Sequence, residues 1–502
     1  PDEPKIMADM GIIYNGAGAI NYISDPFNHY NGKIGIERRG STSQSFPKKG
    51  YGFETWDTAG AEINVSLLGM PAESDWVLHA SYSDKTLMRN VISYKLFRDM
   101  GRYAPRTVYC ELVLNGQYMG VYVLMEKIKR DNNRVDIAKL STSSNTGVNL
   151  TGGYIIKIDK MTGNGGAGWT SPYPPAVNTN GQTIYFQYEY PKPDSMTIWQ
   201  KTYIQQYVDS FETALAGASF ADTVIGYRKY CNESSFIDYF ILNEISRNVD
   251  GYRLSTYLYK DKITNPGDGK LVIGPPWDYD IAWRNANYCN GQLTTGWAYQ
   301  FGNACSGDGF QVPAWWSRML QDTLFRNRLK CRWTDLRQSV LSDTAIIHWI
   351  DSTAMFLDQA QTRNFIQWPV LGLYVWPNPG PIPSTYAGEI TALKNWILTR
   401  MNWLDNNMPG TCLPTGIEEN QSNTYIGIFP NPATHQITLS VNHGFLSDVE
   451  VYSSLGKIVY SEAVYGNKKT ATIDISQLSA GIYFTRIFTG NQIYNTKFTI
   501  SK

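Results

Sequence analysis

A change of rhythm near residue 409 most constrains how this chain can fold. Before it, helical periodicities mix with strands; after it, only short alternating strands remain. Between the two runs Pro409 to Asn423: Pro-Gly, then Pro-Thr-Gly, then the polar string Glu-Glu-Asn-Gln-Ser-Asn. Proline and glycine interrupt helices and ladders alike, and a polar string has nothing to bury, so such a stretch links separate folding units. The expected organisation is a main domain over 1–408, a linker over 409–423 and a tail domain over 424–502. Within the main domain, residues up to about 190 read as strand-rich and residues 191–408 as helix-rich.

A chain of 502 residues with 42% hydrophobic content can bury a large core in two to four domains. Its formal net charge is zero, which removes the electrostatic case for nucleic acid or an anionic membrane as partner. No apolar run approaches the ~20 residues of a transmembrane helix. The sequence opens at Pro1-Asp-Glu-Pro without a signal-peptide pattern, as a processed chain would. The cysteines include no C-x-x-C pair and the histidines no H-E-x-x-H, so structural zinc and zinc hydrolysis find no support. Cys289 and Cys305 share one Gly/Asn-rich segment and can form a local disulfide in an exported protein.

Strands are expected at Gly32 to Ile36 and Tyr51 to Glu54, flanking the loop that starts at Arg38. Asp84 to Met100 has helical periodicity and stops at Gly101. Val108 to Glu126 reads as a hairpin turning at Asn115-Gly116, and Gly153 to Asp159 as a strand. Gly163-Asn-Gly-Gly-Ala-Gly has the look of a phosphate loop but no Lys-Ser/Thr follows, so a flexible loop is expected. Helices are expected from Ser235 to about Arg247 and through 313–407, with Trp315, Trp316 and Trp333 at core spacings. The tail shows five short strands (Gln436 to Val441, Val449 to Tyr452, Thr470 to Ile475, Gly481 to Phe488, Gln492 to Ile500), the rhythm of a small β-sandwich.

Chemistry concentrates at one predicted hairpin. Leu254 to Lys260 alternates as a strand, Asn265-Pro-Gly-Asp-Gly turns, and Lys270 to Gly274 returns. If Lys260 opposes Leu271, Asp250 lies three residues from the position facing Asp278, an offset of roughly 10 Å. Two carboxylates at one end of a hairpin can share a divalent cation and the phosphates it carries. Protein kinases flank a short hairpin with a catalytic-loop Asp and a metal-binding Asp in this way. Asp before Gly is also a common turn former, so position alone leaves both readings open. Paired carboxylates permit glycoside hydrolysis too, for which a separation near 5 or 6.5–9.5 Å is the sign.

Five motifs occur in order: Arg39-Gly-Ser-Thr-Ser-Gln-Ser-Phe-Pro-Lys-Lys, Ser83-Asp-Lys-Thr-Leu-Met-Arg-Asn, Gly120-Val-Tyr-Val-Leu-Met-Glu-Lys, Asn248-Val-Asp-Gly-Tyr and Pro276-Trp-Asp-Tyr-Asp. Together they resemble the CotH kinase family, named after spore coat protein H, over roughly residues 5 to 407. The resemblance implies an α+β fold with a divergent protein-kinase-like core that binds ATP and Mg2+ and phosphorylates Ser/Thr hydroxyls of coat or surface proteins. Asp250 would orient or deprotonate the acceptor and touch metal, and Asp278 would hold Mg2+ against the phosphates. Asp280, two residues on, is a secondary metal candidate ranked below Asp278, expected to point the opposite way if the segment stays extended.

Phosphoryl transfer also needs cations and backbone donors around the phosphates. Arg39, Gly40 and Ser41 open a loop of small residues able to approach an anion, or else an ordinary surface turn. Lys49 is the cation expected to reach the phosphates, with Lys48 facing away; an exposed ion pair is the plainer alternative. Glu126 is the candidate for orienting a lysine or the metal, and Lys157 for a further phosphate contact. Arg89 and Asn90 either anchor their helix to the cleft or serve as structural hydrogen-bonders. One cleft holding Lys49, Glu126, Asp250 and Asp278 is the expected arrangement. The chain lacks a kinase Gly-rich loop, Val-Ala-Ile-Lys, His-Arg-Asp and Asp-Phe-Gly. Ser255 stands where the family often has an Asn, a weaker ligand for hard Mg2+.

The tail carries Ile428-Phe-Pro-Asn-Pro-Ala, Val451-Tyr-Ser-Ser-Leu-Gly-Lys and Leu478-Ser-Ala-Gly-Ile-Tyr-Phe, followed by the basic residue Lys497 before the final strand. It resembles the C-terminal sorting domain of type IX secretion cargo, which implies the secretion machinery as partner and a cell-surface or secreted location. The alternative function is a catalytically inactive surface protein that binds glycan. With 15 Trp and 34 Tyr, and the proline-interrupted segment Trp368 to Pro379, aromatic surface is available for that.

Overall fold

The computed structural model describes residues 4–161, 167–412, 426–441, 445–453, 457–489 and 492–501. The Gly163–Gly166 part of the glycine-rich stretch, residues 413–423 of the linker and Ser454–Gly456 of one tail motif lie outside these residues. The chain divides into two units, Pro1–Cys412 and Leu413–Lys502.

Alternating residues of the first unit build an antiparallel sheet from β1 (Ile6–Ile12), β2 (Tyr30–Arg39), β3 (Gly50–Trp56), β4 (Asp75–His79), β5 (Thr107–Leu114) and β6 (Gln117–Glu126). Their spatial order is β1-β2-β3-β4-β6-β5. On β6 the two-residue period sends Val121, Val123 and Met125 into the main core, and Tyr122 and Leu124 into a second cluster on the opposite face. Asn115 and Gly116 take φ of 49° and 77°, the left-handed pair that a two-residue hairpin turn requires.

A second sheet runs β11-β10-β7-β9-β8, with β7 (Tyr154–Ile158), β8 (Gly168–Thr170), β9 (Tyr185–Tyr190), β10 (Thr256–Lys260) and β11 (Val272–Ile273). β10 pairs with β7 although it comes from the helix-rich stretch, so this sheet runs across the boundary near residue 190. The β10–β11 register sets Leu258 opposite Ile273 and Tyr259 opposite Val272, which is the offset that would face Lys260 with Leu271.

The helix Glu233–Ser246 is buried almost throughout; the Asn232 side chain caps it and Arg247, at φ 44°, ends it. The helix expected from Asp84 begins only at Arg89. Leu87 at φ 63° cannot be helical, and the Asp84 carboxylate instead accepts the N–H groups of Thr86 (3.0 Å) and Arg89 (2.8 Å). Five more long helices, Ile198–Ala216, Thr323–Arg337, Asp343–Phe356, Asp358–Gln367 and Tyr386–Asn407, belong to the unit. Trp315, Trp316 and Trp333 are buried, the first two against Phe236 of the Glu233–Ser246 helix. Disulfides join Cys289 to Cys305 and Cys331 to Cys412, while Cys110 and Cys231 stay free. No helix among the described residues is long and apolar enough to cross a membrane.

The second unit has two antiparallel sheets. One is β12-β13-β16, from β12 (Ile426–Phe429), β13 (Gln436–Val441) and β16 (Thr470–Asp474). The other is β15-β14-β17-β18, from β14 (Asp448–Ser453), β15 (Ile458–Ala463), β17 (Gly481–Thr489) and β18 (Gln492–Ile500). Ile437, Leu439 and Ile473 of the first meet Val451, Ile487 and Phe498 of the second in one apolar cluster. β12 and β15 are additional to the five expected strands. β15 buries none of its side chains fully, so it lacks the apolar alternation that marks a strand in sequence.

Candidate active site

One wall of the site is the turn leaving β2. Gly40 sits at φ 118°, and a Cβ there would meet Ser43 Oγ at 2.1 Å, so this close turn needs glycine. Gln44 closes the turn by donating from Nε2 to Gly40 O (2.8 Å), and Lys49 Nζ braces it from outside by donating to Gln44 O (2.7 Å). The Arg39 guanidinium lies over the Trp277 ring at 5.3 Å, which brings the turn against the segment carrying Asp278.

Asp278 itself stands at φ 58°, a strained conformation for a non-glycine residue. Its surroundings impose it: Asp278 N donates to Tyr94 Oη (3.3 Å) and Tyr279 N donates to Asn90 Oδ1 (2.6 Å), both on the Arg89–Asp99 helix. Ser255 Oγ donates to Asp278 Oδ2 at 3.3 Å. Asp280 does not point away: residues two apart share one face of an extended strand, so alternation itself favours the same side. It lines the same cleft as Asp278, correcting the expectation that it points the opposite way.

Asp250 follows the Glu233–Ser246 helix in a turn held by aromatic packing. Tyr252 packs on Trp316 with centroids 4.5 Å apart and donates to Glu244 Oε1 at 3.0 Å. Asp250 Oδ1 accepts from Arg253 Nη2 at 2.7 Å, and Arg253 Nη1 also donates to Asp308 Oδ1 at 3.2 Å.

These segments enclose an open cleft of about 420 Å3. Asp250, Asp278, Asp280 and Asp308 line it together with Arg39, Lys48, Lys160 and Arg253, and Gly40, Ser41, His79, Tyr288 and Trp376 complete the part relevant to chemistry. Burial raises Asp250, Asp278 and Asp280. Burial, then the Asp280 charge, lifts Asp278 to about 6; burial, then Asp84, lifts Asp280 to about 6. Asp278 still opens to the water of the cleft, which limits the push. At Asp250 burial acts against the pull of Arg253. His79 falls to about 4, chiefly by burial, and is therefore neutral. Because Asn90 Oδ1 is taken by Tyr279, the Asn90 NH2 faces His79 Nε2 at 3.1 Å and that nitrogen acts as acceptor.

The sequence of residues 36–404 matches the family described as CotH kinase protein. The chain belongs to this CotH family. Over 99 residues it is 29% identical to the inner spore coat protein H of Bacillus subtilis (strain 168), a match covering 19% of this chain and 24% of that protein. Residues 427–501 match the secretion system C-terminal sorting domain, which marks the chain for type IX export to the cell surface or beyond.

In this CotH chain three of the charged residues expected at the nucleotide, Lys49, Glu126 and Lys157, stand outside the cleft lining. Lys49 supports the Gly40 turn, as described, because residues 46–49 precede β3 and strand alternation does not reach them. Lys48 lines the cleft instead. It is buried, held by Val121 O and Asn364 Oδ1, and lowered by burial to about 7. Glu126 is wholly buried and binds Arg106 Nη1 (2.7 Å) and Arg106 N (2.9 Å). Lys157 pairs with Glu189 at 3.2 Å. Lys160, at the end of the strand motif that drew attention to Lys157, is the basic residue of that segment on the cleft. Its one sequence signal is its place just past the strand end.

No group of three or more His, Cys, Asp or Glu poised around one metal position occurs among the described residues. Mg2+ does not need one: it commonly takes one or two carboxylates and fills its shell with water and substrate phosphate. Asp278 and Asp280, two raised carboxylates on one cleft, fit that demand.

Proposed function

We propose that the main domain is an atypical protein kinase that transfers phosphate from ATP, with Mg2+, to Ser/Thr hydroxyls of surface or secreted proteins. The carrying observation is the single cleft shared by Asp250, Asp278 and the Arg39-Gly40-Ser41 turn. A divergent kinase-like core followed by a small β-sandwich is the fold that goes with it. Asp278, with Asp280, would hold the metal against the phosphates, and Arg39, Lys160 and the backbone of Gly40 and Ser41 would take up their charge. Asp250 would orient the acceptor hydroxyl and receive its proton. A volume near 420 Å3 is in the range of small-ligand sites.

The deciding experiment is incubation with labelled ATP and Mg2+. Label transfer by the native protein and none by Asp250→Ala or Asp278→Ala is the expected result; equal labelling of all three overturns the reading. A second reading, an inactive surface protein binding glycan, is favoured by the exposure of Leu373 (58%), Tyr374 (58%) and Trp376 (43%) beside the cleft. Stabilisation by polysaccharide that persists in Asp278→Ala would select it.

A further inference from the structure

We propose that Arg253 is the positioning residue of Asp250, and that the Cys289–Cys305 disulfide completes the clamp that holds it. Its consequence for turnover rests on the kinase reading above; the clamp itself does not.

Arg253 is almost entirely buried, at 3% exposure. Its Nε donates to Val249 O (2.8 Å) and its Nη1 to Phe310 O (3.1 Å), and its guanidinium carbon lies over the Phe301 ring, 3.9 Å from the centroid. A rigid planar fork pinned by two carbonyls and a ring presents its remaining N–H groups in one direction only. That direction holds Asp250 Oδ1 and Asp308 Oδ1. Arg253 engages a single oxygen of Asp250, which leaves Oδ2 for a metal or a proton.

Asp308 belongs to an otherwise exposed loop that starts at the disulfide. Asp308 N donates to Cys305 O (3.2 Å), and Phe310 N to Asp308 Oδ1 (2.8 Å). The other half-cystine follows Tyr288, whose ring stacks on Trp376 with centroids 5.9 Å apart and planes at 12°. One covalent bond thus joins the loop that orders Arg253 to the aromatic rim of the same cleft. Reduction adds two electrons and two protons to give two thiols and releases that tie. Re-formation passes both electrons and both protons to an oxidant such as a disulfide-bearing oxidoreductase. Disulfides persist in oxidising compartments, so an exported chain would carry an incomplete site in the ATP-rich cytoplasm and a complete one afterwards.

Hydrogen exchange of residues 248–255, with kcat and the KM for ATP–Mg2+, tests the clamp in the full chain. Cys289→Ser/Cys305→Ser and Asp308→Asn should each speed exchange there, and Cys331→Ser/Cys412→Ser should not. Arg253→Gln should lower kcat by about 100-fold, the cost of misplacing a reacting group, at unchanged KM. Arg253→Lys should restore part of that loss. Unchanged exchange in both Asp308→Asn and the Cys289/Cys305 variant overturns the proposal. If the native protein transfers no phosphate, exchange still decides the clamp and the kinase reading alone falls.

Discussion

The amide oxygen of Asn90 accepts the backbone N–H of Tyr279 at 2.6 Å, while its NH2 meets His79. One side chain therefore fixes the segment of Asp278 to β4 and to the Arg89–Asp99 helix. Asn90→Leu would leave a buried N–H unpaired, at a cost of about 1–3 kcal/mol. Urea denaturation should show that loss, and Mg2+–ATP should stabilise the variant less than the native protein.

Gly40→Ala forces a side chain into φ 118° and against Ser43 Oγ. A residue held in such a backbone region costs on the order of 1–3 kcal/mol. The turn would open, and nucleotide affinity measured by calorimetry should fall by about tenfold or more. Equal affinity would remove the turn from the phosphate site.

The raised carboxyls of Asp278 and Asp280 give a pH signature. An acid whose folded value lies above its usual one binds protons more readily when folded, so it favours folding while protonated and loses that contribution as pH rises through about 4 to 6. Asp280→Asn should accordingly raise Tm at pH 7, and the gain should vanish near pH 4. Metal binding runs the other way: affinity for Mg2+–ATP should grow between pH 5 and 7 as these groups ionise. An affinity flat with pH would contradict their role as ligands.

Deleting residues 424–502 should leave the thermal transition of the first unit in place and abolish surface delivery, since the sorting domain lies in that tail. Fractionation of cells carrying the deletion checks this. Normal export of the truncated chain would refute it.

Much of the fold is legible because its signals are local. The Asn115-Gly116 turn, the cap at Gly101 and the hairpin about Asn265 to Gly269 each need only neighbouring residues, and the β10–β11 register follows from turn length. β15 is not legible, because an edge strand with exposed side chains carries no apolar alternation.

The sequence by itself determined the family motifs, the pair Asp250 and Asp278 at one end of a hairpin, and the separate character of the tail. Only the folded chain shows that Lys48 rather than Lys49 lines the cleft and that Glu126 is taken by Arg106. Alternation predicts side-chain direction only while the backbone stays extended. At Asp278 contacts from residues 94 and 255, far along the chain, accompany a left-handed turn, and no local pattern encodes them.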